Sequence, residues 1–89
     1  MSESVQDVYR GVISMIEGVA SLDDGHGYAD TKIGSASRAF NTVLGRAKLV
    51  CSSSTVRDMA QLTDIDTVVA LVTHLQLLRA ELAGLLPRP

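Results

Sequence analysis

A chain of 89 residues with a net charge of −2 gives one small domain and leaves no room for a second. Apolar residues make up 46% but aromatics only 3% (Tyr9, Tyr28 and Phe40), so any core is aliphatic, which suits helices packed at short range. The single cysteine, Cys51, excludes an internal disulfide and favours a reducing, cytoplasmic compartment, and the polar start MSESVQD does not read as a signal peptide.

The charge falls in three blocks. Residues 1–30 carry six acids against Arg10, a net −5, and residues 31–57 carry Lys32, Arg38, Arg46, Lys48 and Arg57 with no acid, a net +5. Residues 58–89 return to −2. An acidic–basic–acidic order of this kind directs which helices face one another, or which partner a surface accepts.

The first helix is expected over about residues 4–22, with Ser4 and Asp7 in a capping arrangement. Val5, Val8, Val12, Met15, Val19 and Leu22 alternate three and four apart, which is the spacing of a coiled-coil seam. A second stripe, Tyr9, Ile13, Ile16 and Ala20, runs beside it, so the helix is expected to meet two neighbours. Ser4, Gly11 and Gly18 recur every seventh residue, a small-residue row that lets another group approach closely or is simply exposed.

DDGHG breaks this helix, giving a loop over 23–30. Asp23, Asp24 and His26 are metal-ligand types, but with no cysteine and no second histidine nearby they fall short of a typical site, and no metal is expected. The next helix is expected over about 31–51. Ile33, Ala36, Phe40, Val43, Ala47 and Val50 form its apolar seam, and Lys32, Arg38, Arg46 and Lys48 fall on the outward side. Cys51 lies beside Val50 and reads as a small core residue. Four hydroxyl residues, Ser52 to Thr55, then break the helix and offer a new cap.

A short helix is expected over about 55–62, and a long one over about 64–86 with Thr63 or Asp64 as its cap. The long helix holds the widest apolar face in the chain. Val68, Leu75 and Leu82 recur every seventh residue, as do Leu71, Leu78 and Leu85, with Ile65, Val72 and Leu86 between the rows. Asp66, His74, Gln76, Arg79 and Glu81 interrupt it, which makes membrane insertion costly. His74 is expected on its polar side, exposed to solvent.

The stretch STVRDMAQLTDIDTVVALVTHL resembles a helix-turn-helix over about twenty residues. Thr55–Leu62 would be the lead helix, Ala60 the small residue at the crossing and Ile65 the apolar residue after the turn. The resemblance implies a DNA-binding unit over 55–75. Asp64 stands where glycine is usual, and Val68 and Val69 stand where base-reading side chains belong. No Arg, Lys, Asn or Gln follows until Gln76 and Arg79, and a helix without such donors reads a major groove poorly.

These readings converge on an all-α protein, a small bundle of three to four helices completed by homo-oligomerisation, most simply a dimer. The expected interface takes Val68, Leu71, Val72 and Leu75 with Leu78, Leu82 and Leu85 on the last helix, and Val12, Met15 and Val19 on the first. Nothing assembles a nucleophile, a base and an orienting group, and GSASRAF lacks the lysine of a phosphate loop. The expected function is therefore a non-enzymatic, cofactor-free regulator, adaptor or assembly chaperone that binds another protein. The alternative is a small DNA-binding regulator using Arg38, Arg46, Lys48 and Arg57 on one exposed face.

Overall fold

The computed structural model describes residues 4–20 and 31–86, and nothing outside them is described here, including the expected 23–30 loop with its DDGHG stretch, Leu22 and the end of the chain. Its described elements are four helices: α1 (Val5–Ala20), α2 (Ala36–Val50), α3 (Ser54–Arg57) and α4 (Val68–Ala83). They make a small all-α bundle in which α1 packs mainly on α4 and also on α2, with α3 closing one end against α2 and α4.

The first helix starts where the sequence provides a cap: Ser4 Oγ accepts from the Asp7 N–H at 3.2 Å. Val8 and Val12 are fully buried and Val19 nearly so, with Val5, Tyr9, Met15 and Ile16 packed against the same core. On α2, Phe40, Val43, Leu44 and Ala47 are buried, followed by Cys51. Leu44 was absent from the expected seam because it sits next to Val43 and breaks the strict three–four alternation. Its burial shows that the helix offers a broader stripe than a narrow seam.

Three boundaries differ from the expected ones, each for a physical reason. The helix expected from residue 31 starts only at Ala36 because the chain before Gly34 forms an antiparallel bridge, Lys32 with Thr67, and is bonded along Asp64–Val68. The Val68 N–H donates to the Thr31 carbonyl at 2.8 Å, Ile33 N–H to the Asp66 carbonyl at 2.8 Å, and Gly34 N–H to the Asp64 carbonyl at 3.1 Å. Gly34 then turns the chain into α2 with φ +57°, a conformation that costs any other residue strain.

The short helix expected over 55–62 is one turn, Ser54–Arg57, capped by Ser53 Oγ, which accepts from the Thr55 N–H at 3.2 Å. Beyond it the chain leaves the helix and is held at Leu62 by Asn41. That side chain accepts from the Leu62 N–H at 2.9 Å and donates to the Leu62 carbonyl at 2.8 Å, as a neighbouring strand would. Met59 and Leu62 are thereby buried.

The long helix begins at Val68 rather than residue 64, and its cap is Thr67, whose Oγ1 accepts from the Ala70 N–H at 3.3 Å. Thr63 and Asp64 do not cap it. Instead Asp66 turns back, its carboxylate accepting from the Thr63 N–H at 2.6 Å and the Thr63 hydroxyl at 3.2 Å. Ile65 consequently lies outside the helix and is 70% exposed.

Candidate interaction surfaces

The last helix carries a buried apolar seam and, on the opposite side, an exposed uncharged one. The inner one is Val68, Leu71, Leu75, Leu78 and Leu82, spaced three, four, three, four, and all five are buried against α1, α2 and α3. The outer one is Val69, Thr73, Gln76, Ala80 and Ala83, spaced four, three, four, three, and all five are exposed. Leu77 lies beside the outer seam, 44% exposed, and Leu85 follows at 51%. The outer seam holds no charged residue. Thr73 adds to its apolar character because its hydroxyl donates to its own helix, to the Val69 carbonyl at 2.9 Å, leaving the methyl group for a neighbour.

This division decides where the residues expected at an interface lie. Val68, Leu71, Leu75, Leu78 and Leu82, with Val12 and Val19, are the chain's own core; Val72 and Met15 are half-buried and Leu85 is exposed. The large apolar side chains that do face solvent are Leu49, Ile65, Val69, Leu77 and Leu85. Periodicity alone marked α4 as holding one wide apolar face, but its inner and outer sides obey the same spacing, so only the packing of α1, α2 and α3 shows which is the inner one.

The basic residues are not gathered into one cluster. Arg38 lies at the start of α2, on a depression of about 500 Å³ shared with Gly34, Ser35, Ser37 and Asp64. Lys48 and Arg57 lie at the other end, on a depression of about 260 Å³ with Leu49, Val50, Cys51 and Ser52. Arg46 turns to α1, half-buried: a Cβ added at Gly11 would sit 3.8 Å from its Nη1, so the small-residue row of α1 receives this side chain. Nor is there a helix-turn-helix over 55–75, because α3 ends at Arg57 and α4 begins at Val68, with residues 58–67 outside any helix where that motif has a turn of about three to four residues. Lys48 and Arg57 flank the C-terminal end of α2, where free carbonyls carry partial negative charge, so their first effect is to offset that charge.

His74 is not the exposed residue expected. It is half-buried, its Nδ1 lies 2.8 Å from the Ala70 carbonyl, and its ring stands edge-on to Phe40 at 5.7 Å and 82°. A carbonyl only accepts, so Nδ1 carries the hydrogen of that bond. Cys51 is buried within the core. Among the described residues no group of three or more His, Cys, Asp or Glu comes together, and no helix is long and apolar enough to cross a membrane. Compared with protein-family models, with curated proteins and with solved structures, the chain matches none.

Proposed function

We propose that this protein acts by binding rather than by catalysis, as a small regulator, adaptor or assembly chaperone whose apolar helix surfaces meet other protein chains. The observation that supports this reading is the outer seam of α4: a solvent-facing helix side normally carries charged residues, and this one carries none, with Leu77 beside it. Here one side is exposed over Val69, Thr73, Gln76, Ala80 and Ala83. A second copy of the chain is the simplest neighbour. An uncharged seam can lie against its own symmetry mate without like-charge repulsion, and its alanines allow two helices to approach closely. The α4 helix, 16 residues, spans about 24 Å, so a contact confined to it is small against a standard interface and gives a reversible homodimer.

Sedimentation velocity across the micromolar range tests this. The wild-type sedimentation coefficient should rise with concentration towards that of a dimer. A double variant, Leu77→Glu with Ala80→Glu, should stay monomeric while keeping its helical circular dichroism, because both positions are exposed. A wild-type chain that remains monomeric throughout, or a variant that still dimerises, would remove α4 as the contact.

A further inference from the structure

The outward side of α2 carries a row of its own: Arg38, Thr42, Gly45 and Leu49, spaced four, three, four and all exposed. Leu49 is the most exposed large apolar side chain, at 87%. Thr42 turns its hydroxyl to its own helix, donating to the Arg38 carbonyl at 3.0 Å. Gly45 sits in the middle of the row. Among the described residues a Cβ added there would meet nothing within 4 Å, and its φ is not in the left-handed region, so none of their contacts and no backbone conformation requires glycine. Glycine is nonetheless disfavoured inside a helix.

Charge surrounds this row. Arg38 stands at one end, and Lys48 and Arg57 border the depression beside Leu49 at the other. None of these three makes an ion pair among the described residues, and no acid occurs between Thr31 and Arg57. The set of features selects among ligands. A phosphate backbone would use the cations but gains nothing from an exposed leucine or from close approach over a glycine. A helix would use all of them. We infer that the outer face of α2 docks an acidic amphipathic helix of a partner protein, seated over Gly45 and anchored on Leu49, with its carboxylates reaching Lys48 and Arg57. The row from Arg38 to Leu49 covers eleven residues of rise, about 16 Å, enough for three turns of such a partner. This face is separate from α4, so the inference stands or falls independently of self-association there.

The test is a fluorescence-anisotropy titration of the full chain against three labelled probes. The first is a synthetic amphipathic helix with leucine and alanine on one face and glutamate on the other. The second is the same peptide with lysine for glutamate, and the third a mixed-sequence DNA duplex. The glutamate peptide should bind saturably at low salt and less tightly at moderate salt, and the lysine peptide should not bind. Leu49→Ala leaves the charge unchanged and should weaken the glutamate peptide by roughly tenfold or more. Gly45→Ala should also weaken it while raising the melting temperature by about 4–8 °C, a pairing that a damaged fold cannot produce. Failure of the glutamate peptide to bind at low salt would overturn the inference. So would binding that both variants leave unchanged, or duplex binding that depends on Lys48 and Arg57 but on neither Leu49 nor Gly45.

Discussion

Replacing Asn41 tests how the non-helical segment before α4 is held. Its amide is bonded to both the N–H and the carbonyl of Leu62, at 2.9 and 2.8 Å, in a partly buried setting. Asn41→Ala leaves both backbone groups without a partner. An orphaned buried group costs about 1–3 kcal/mol, and partial access of water puts each at the lower end, for a total of about 2 kcal/mol. In a domain of this size that lowers the melting temperature by about 8–16 °C. Asn41→Asp distinguishes the hydrogen bonds from mere volume. Its carboxylate keeps the bond from the Leu62 N–H but faces the Leu62 carbonyl without a proton to donate, so its folded-state pKa is raised above that of the unfolded chain. The sign follows: protonation restores the missing donor, so the variant is closest to wild type below the ordinary Asp pKa of about 3.9 and falls behind as pH rises through the folded value. Urea unfolding of wild type and both variants at neutral and acidic pH measures this. The reasoning fails if Asn41→Ala costs less than about 0.5 kcal/mol, or if the gap between Asn41→Asp and wild type does not narrow on acidification.

Other substitutions probe the remaining supports. Leu75→Ala removes a fully buried side chain from the inner seam and should cost about 2–5 kcal/mol, read as a fall in the urea midpoint; an unchanged midpoint would place Leu75 outside the core. Gly34→Ala adds a Cβ into open space but forces alanine to φ +57°, so about 1–2 kcal/mol should be lost through backbone strain alone. Equal stability of the two chains would mean that the turn into α2 differs from that described. Thr67→Ala should lower stability by about 1 kcal/mol and Thr67→Ser should restore most of it, because the hydroxyl caps α4.

The helical class and the core faces of α1 and α2 were legible because Val8, Val12 and Val19, and Phe40, Val43 and Ala47, recur at the helical period. What was not legible came from contacts between residues far apart in sequence. Ile65 looks like the first apolar residue of a helix, yet it lies outside one, because Asp66 folds back on Thr63 and Thr31–Gly34 pairs with the same stretch. The short third helix ends early because Asn41, on another helix, takes over Leu62. The exposed faces were hardest. The width of α4's apolar surface was plain in the sequence, but the inner and outer seams share one spacing. The basic residues of α2 pointed outward as expected at Arg38 and Lys48, while Arg46 turned into the crease beside Gly11.

The short antiparallel pairing of Thr31–Gly34 with Asp64–Val68 also shapes the order in which the molecule can come apart. It closes a loop that contains the whole of α2 and α3 and delivers the chain to the start of α4. The entropy of closing that loop is lost once; the contacts between α2 and α3 form inside it, and α4 continues directly from the residue that closes it. The first helix lies outside the loop and is packed chiefly on α4. It can therefore leave while the loop stays shut, a partial opening that uncovers part of α4's inner seam without global unfolding. Amide hydrogen exchange along α1 should then outpace exchange in the middle of α2. The same opening would briefly leave α4 uncovered on both sides, its apolar seam as well as its uncharged one.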